Sequence, residues 1–256
     1  MSTPSPTRRE QSLLRTLLTR SGRKKSGFCR CEGVRAAGEL LDRRSDLVEF
    51  IVATQRGIDS IRRELPELRI VSEEEFALFS DTLNSQGIIA VARIPESDSV
   101  PVSGEFILAL DQLGDPGNFG TIARTYRAIG GSELWYTKGS VDPWCDKAIR
   151  SGMGAQFSLN VRKFDDLPQL CSAAKDAGYP TVYIADPHKG ESCFDAPGLF
   201  DRSVLVIGGE ANGVSCFPGG SRSVMIPMPG NYESLNAAQA ATVILLEHVR
   251  RNTKSV

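Results

Sequence analysis

The hydrophobic pattern divides the chain into two alternating series with a break between them. Leu13, Leu14, Leu17 and Leu18 recur at helical spacing and predict a short amphipathic helix over residues 8–20. A basic stretch, Arg20 to Lys25, follows. Phe28–Glu32 then reads as a strand and Val34–Arg44 as a helix with Val34, Ala37, Leu40 and Leu41 on one face. Leu47–Ala53 is a β-rich run, Ile58–Leu65 is helical, and Leu68–Val71 is a short strand. Ser72 with Glu75 three residues later forms a capping-box signature. Gly87–Ile94 reads as a buried strand.

Residues 95–104, PESDSVPVSG, interrupt the pattern with turn-forming residues. Alternation then resumes. Strands are predicted at Phe106–Leu113, Glu133–Thr137, Phe157–Val161, Thr181–Asp186, Ser203–Ile207 and Val224–Met228. Helices are predicted at Asn118–Ile129, Asp142–Ser151 and Leu167–Ala177, with a last helix from Ser234 to about Arg251. Strands alternating with helices imply an α/β fold whose sheet is largely parallel and covered on both faces. The expected divisions are 1–22, 23–95, a linker at 96–104, and 105–256.

Composition changes this picture in one respect. Of 256 residues, 41% are hydrophobic and 24% charged, as in a globular chain. The formal net charge is only −1. Residues 1–35, however, carry nine Lys and Arg against Glu10 and Glu32, a local excess of +7. The remaining 21 basic and 29 acidic residues give −8. On charge alone, a basic head on an acidic body reads first as a solvated terminus, with a locally contacted polyanion as the alternative. No apolar run approaches the roughly 18 residues of a membrane span, and none of the secretory type opens the chain, so no membrane partner is expected. Cys29-x-Cys31 is too tight for a zinc knuckle, and His188 and His248 lie far apart, so no metal is expected.

Ligands of parallel α/β sheets bind at the carboxyl ends of strands. Three strand exits carry unusual chemistry. In the first, the turn Gly114-Asp115-Pro116-Gly117 precedes a helix bearing Asn118 and Arg124, six residues apart and expected at one edge of the sheet. The second runs into Gly208-Gly209, Glu210 and Asn212-Gly213, where glycines admit a close ligand. The third passes Pro227-Met228-Pro229-Gly230 to Ser234, read as the N-cap, with Leu235 and Asn236 in the first turn. Taken singly, each also fits a capped helix or a tight turn.

Together the three segments resemble the motifs of the SpoU/TrmH family of S-adenosylmethionine (SAM)-dependent RNA 2′-O-ribose methyltransferases, in the SPOUT superfamily. The first, D-P-x-N-x-G-x-x-x-R, is matched by Asp115, Pro116, Asn118, Gly120 and Arg124. The second, G-x-E-x-x-G, is matched by Gly208, Glu210 and Gly213. The third, I-P-M-x-G-x-x-x-S-L-N, is matched by Ile226, Pro227, Met228, Gly230, Ser234, Leu235 and Asn236. AIRSGMGAQF, 148–157, is similar to an arginine-led family segment, with Gly152 where serine is common. Looser matches at Gly27-Phe28, Glu32-Gly33, Arg35 and 85–95 extend the resemblance into the first domain.

The resemblance implies a small N-terminal α/β RNA-binding domain at 23–95 behind a basic extension. It implies a parallel-sheet SPOUT catalytic domain at 105–256 with a C-terminal trefoil knot. It implies SAM as cofactor, held around Gly208, Gly209, Ile226, Met228, Ser234, Leu235 and Asn236. Arg124 would bind a neighbouring phosphate and stabilise the developing alkoxide, since an arginine is a poor free base. Asn118, Glu210, Ser234 and Asn236 would orient Arg124, the ribose or the cofactor. Arg23, Lys24, Lys25, Arg35 and Arg150 would contact RNA, and the chain would be a homodimer. Dependence on a 2′-hydroxyl means RNA rather than DNA.

The expected substrate is ribosomal RNA of the 23S type. A tRNA methyltransferase, a catalytically silent RNA-binding protein on the same scaffold, and a nicotinamide-dependent oxidoreductase are the competing readings. The last lacks the G-x-G-x-x-G fingerprint. The expected compartment is the cytoplasm, with an organellar matrix as the alternative because residues 1–25 share the Arg- and Ser-rich character of transit peptides.

Overall fold

The computed structural model describes residues 4–97, 99–210, 213–230 and 233–253. Contacts divide the chain into two units: residues 1–96 with 142–158, and residues 97–141 with 159–256. The first division falls between Glu96 and Ser97. The segment 142–158 departs from expectation by grouping with the N-terminal residues. Ion pairs made by the buried guanidiniums of Arg23 and Arg30 explain this. Asp142 accepts from Arg23 Nε at 2.7 Å, and Asp146 lies 2.5 Å from Arg30 Nε.

The first unit is built on a sheet of β1 (Phe28–Glu32), β2 (Val48–Ala53), β3 (Leu68–Ile70) and β4 (Ile88–Arg93), in the order β1-β4-β2-β3. Here the sheet is mixed rather than parallel, because β4 returns antiparallel between β1 and β2. Period-2 alternation separates its faces. Phe50, Val52, Ile89 and Val91 pack with Leu14, Leu17, Phe76 and Phe79. The helix Val34–Arg44 contacts β1, β2 and β4 and buries Ala36, Ala37 and Leu40.

Two expectations for the N-terminus are corrected. In place of one helix over 8–20, there are two, Arg8–Thr16 and Arg20–Ser26. Thr19 is an internal N-cap, accepting from Gly22 N at 3.0 Å, and so starts a new helix. Nor is 1–22 an extension, since Leu14 and Leu17 are wholly buried in the unit's core. The Ser72–Glu75 capping box is present. The helix expected at Ile58–Leu65 runs Gln55–Ile61, because Thr54 caps it earlier.

The second unit holds seven parallel strands: β5 (Phe106–Asp111), β6 (Glu133–Thr137), β7 (Asn160–Phe164), β8 (Thr181–Ala185), β9 (Glu191–Ser192), β10 (Ser203–Gly208) and β11 (Arg222–Met225). Their order is β7-β6-β5-β10-β8-β11-β9. Side chains of alternate residues leave opposite faces. Ile107, Ala109, Val204 and Val206 meet Leu167, Leu170 and Ala174 of the helix Leu167–Asp176. Helices Pro116–Ala128 and Ala237–Asn252 pack on each other, and the latter also contacts β10. The strand expected at Phe157–Val161 is displaced to β7, because a 3-10 turn occupies Ala155–Ser158. β5 and β10 are neighbours in register, with Gly208 beside Asp111, so two of the unusual strand exits open side by side.

Candidate active site

The helix after β5 begins at Pro116, two residues before the expected start. Asp115 caps it, accepting from Asn118 N at 2.8 Å. Proline at the first helical position lacks a donor that the helix would not have used, so it strengthens this start. After β10, Gly209 and Gly213 exchange backbone hydrogen bonds of 3.1 and 2.9 Å and close a tight loop. A Cβ on Gly208 would lie 2.3 Å from the carbonyl carbon of Gly213, and one on Gly209 would lie 2.4 Å from the Gln112 carbonyl oxygen. Only glycine fits either position.

The last helix starts later than Ser234 predicts. Its N-cap is Asn236, whose Oδ1 accepts from Ala238 N at 2.9 Å and Gln239 N at 3.3 Å. Ser234 lies two residues before this cap and stays exposed on the approach. This capping fixes the amide orientation. With Oδ1 committed to the helix, Asn236 Nδ2 donates to Asn118 Oδ1 at 3.2 Å. Asn118 Nδ2 then donates to Glu210 Oε1. Each amide has one donor side and one acceptor side, so the chain of bonds runs in one direction and ends on an accepting carboxylate. Asn118 thus joins all three strand exits.

Beside this relay lies a cleft of about 750 Å³ counted out to its open mouth. Gly208, Gly209, Ile226, Met228, Ser234 and Leu235 line it, as does Glu210 of the relay. Ile207, Val224, Ala240 and Ile244 make the remaining wall largely apolar. Its size and mixed lining are those of a small-molecule site. Asn236 is not among the lining residues and meets the cleft's edge through Asn118 and Glu210.

Arg124 stands outside this cluster. It is exposed and has no hydrogen-bond or ion-pair partner among the described residues. Helix geometry accounts for that. Six residues turn the helix about 600° and advance it about 9 Å, leaving Arg124 roughly a third of a turn away from Asn118. Asn118, Glu210 and Asn236 therefore orient one another instead of Arg124. Asn212 of the second exit lies outside the described residues.

The residues expected to contact RNA fall into distinct settings, all in the first unit. Lys24 and Lys25 are exposed. Arg23 is a correction: only 4% exposed, it binds Asp142 and donates to Leu17 O at 2.7 Å. Its guanidinium is a structural tie. Arg35 is exposed, and Arg150 pairs with Asp81 at 3.1 Å; these two share one concavity.

Sequence reasoning passed over two contributors. Asp186, at the exit of β8, lines the cleft and accepts from His188 N and Lys189 N at 2.8 and 3.0 Å. Buried Asp111 accepts from Thr137 Oγ1 and from Ser215 N, both at 2.5 Å, and so ties the glycine loop to β5 and β6. A carboxylate ending the apolar run FILALD was the available signal.

Residues 105–246 match the model of the SpoU rRNA methylase family. A 23S rRNA (uridine(2479)-2′-O)-methyltransferase of Streptomyces viridochromogenes is 32% identical over 253 residues, covering 91% of this chain and 86% of that protein. A 23S rRNA (guanosine(2553)-2′-O)-methyltransferase of Bacillus subtilis is 29% identical, covering 91% and 93%. Among solved structures, the SpoU methyltransferase AviRb of S. viridochromogenes in complex with AdoMet superposes with a TM-score of 0.77 at 26% identity, covering 96% of this chain and 98% of that one. A TrmH-family putative RNA methyltransferase of Porphyromonas gingivalis gives a TM-score of 0.80 at 27% identity, covering 96% and 99%. With three motifs joined at one cleft and matches of this extent, the chain belongs to the SpoU rRNA methylase family.

Proposed function

We propose that this chain transfers a methyl group from SAM to a ribose 2′-hydroxyl of RNA, with 23S-type ribosomal RNA as substrate. The observation that carries the reading is the Asn236–Asn118–Glu210 relay at the edge of an apolar cleft. Family membership and relatives named for 23S rRNA 2′-O-methylation support it. Those names differ in the target base, uridine in one and guanosine in the other, so family membership alone does not select the nucleotide.

The cleft suits SAM by its chemistry. Ile226, Met228 and Leu235 offer apolar surface to an adenine, and glycines 208 and 209 let it approach the backbone. Asp186 and Ser234 offer polar atoms at the same wall. When bound, SAM supplies an electrophilic sulfonium methyl. The chain's own residues must then position and polarise the attacking oxygen. Arg124, with no partner among the described residues, is available for an RNA phosphate and for hydrogen bonding to the 2′-oxygen as negative charge develops there. Glu210, held by Asn118, presents a fixed acceptor at the cleft.

A homodimer belongs to the same reading, supported by Leu246 and Val249, which stand 53% and 37% exposed at helical spacing on the last helix. So does the C-terminal trefoil knot. The six cysteines are unpaired, which supports a reducing compartment, the cytoplasm before an organellar matrix. Transfer of labelled methyl from SAM to rRNA and tRNA, followed by mapping of the nucleotide, tests the function. Methylation of tRNA alone would replace the rRNA reading. Absence of both SAM binding and transfer would favour a silent RNA-binding protein.

A further inference from the structure

In the first unit, the concavity that holds Arg35 and Arg150 is a formed pocket of about 670 Å³ counted to its mouth. Its floor is Glu32, 2% exposed. That carboxylate is already saturated. Oε1 accepts from Ser80 Oγ and Ser85 Oγ at 2.5 and 2.9 Å, and Oε2 from Arg30 at 3.0 Å. Arg150 adds a second cation 3.8 Å from it. Asp81 and Asp146 join this cluster, so three carboxylates face the two guanidiniums of Arg30 and Arg150, and the floor's cations are already engaged.

The rim is different. Gln86 Oε1 accepts from Val34 N at 2.8 Å, which turns its two Nε2 hydrogens toward other acceptors. Arg35 and Asn84 have no partner among the described residues. The open groups are thus nearly all donors: the Arg35 fork, the Gln86 amide and half of Asn84. A donor-rich rim selects an acceptor-only anion, and a phosphate matches the arginine fork with paired oxygens. Met153 and Ala36 supply an apolar patch in the same pocket. A thioether packs well against a flat aromatic ring.

We infer that this pocket binds one nucleotide of the substrate RNA, its phosphate on Arg35 and Gln86 and its base against Met153. The inference rests on the RNA methyltransferase reading but concerns a surface apart from the cofactor cleft. Backbone phosphate contacts set register and base contacts add selectivity.

The test is a titration of the full chain with 5′-CMP, cytidine and inorganic phosphate, followed through methionine methyl and side-chain amide NMR signals. CMP should shift Met153, Asn84 and Gln86, with cytidine binding at least about fivefold more weakly. Arg35→Gln should weaken CMP about tenfold, as expected for a charge-assisted contact. Arg43→Gln, a neighbouring exposed arginine paired with Glu39, should not. Asn84→Ala provides a second variant without a folding role. Equal effects of CMP and inorganic phosphate, or of the two arginine variants, would overturn the inference. Met228 separates the two claims, because it lines the cofactor cleft. A Met228 shift on SAM with Met153 silent on CMP sinks this pocket and spares the enzyme reading. Silence of Met228 on SAM sinks the enzyme reading.

Discussion

Asn236 donates through Nδ2 to Oδ1 of Asn118 at 3.2 Å, across 118 positions of sequence. The bond exists because Asn236 is a helix cap and Asn118 follows one, Asp115. Two local capping solutions thereby aim two amides at each other and at Glu210. Replacing Asn118 with Ala should cut methyl transfer about a hundredfold, as loss of a preorganised polar group commonly does. Asn236→Ala should cost a similar amount, and the double variant much less than the product of the two. Independent effects in such a cycle would mean that the relay does not act as a unit.

Arg124→Ala should reduce turnover by about a hundred- to a thousandfold, a loss on the scale of removing a transition-state donor. SAM affinity should change less than twofold, since Arg124 does not line the cleft. Calorimetry for SAM alongside single-turnover methylation separates these. Near-normal turnover would remove Arg124 from the mechanism.

Gly209→Ala should disturb the cleft without removing any polar side chain. Its Cβ meets the Gln112 carbonyl at 2.4 Å, so the loop must shift. Strain of this kind costs about 1–3 kcal/mol. A lower Tm and a SAM Kd raised more than about tenfold are expected, the latter corresponding to 1.4 kcal/mol or more.

The basic head should separate into two behaviours. Lys24→Ala with Lys25→Ala should weaken RNA binding and flatten its salt dependence, as expected when phosphate contacts are lost. Arg23→Ala should instead destabilise the fold by about 1–3 kcal/mol, because it removes a buried guanidinium from half-buried Asp142 and from the Leu17 carbonyl. Denaturation and filter binding over a range of salt concentrations read the two effects. Normal stability of the Arg23 variant would refute its structural role.

Burial pushes the Asp146 carboxyl up to about 6 from its ordinary 3.8, despite its contact with Arg30. Below pH 4 the folded and unfolded chains both hold this proton. Between about pH 4 and 6 only the folded chain does, so this group's contribution falls as pH rises through that window and is level above it. Asp146→Asn should remove a decline of about 1–3 kcal/mol between pH 4 and 7, measured by urea unfolding at each pH. An unchanged pH slope in the variant would reject the assignment.

Much of the second unit was legible because its signals are local. The apolar run FILALD, the Glu133–Thr137 strand and the Leu167 helix each declare themselves within one or two turns or a few alternations. The three motif segments were also readable, since residue type and spacing alone identify them. The N-terminal head was misread for the opposite reason. Composition records that Arg23 is charged and Leu14 apolar, but not that Asp142 and Phe50 wait for them.

By itself, then, the sequence determined the α/β class, most strand and helix positions, and which residues carry the motif chemistry. Tertiary structure decided that Asn236 rather than Ser234 caps the last helix, and that Asn118 rather than Arg124 joins the motifs. It also decided that residues 142–158 group with the N-terminal unit. The physical reason is range. Periodicity and capping act over a few residues, whereas Asn118, Glu210 and Asn236 meet only once β10 has paired beside β5 and the last helix has packed against the one following β5.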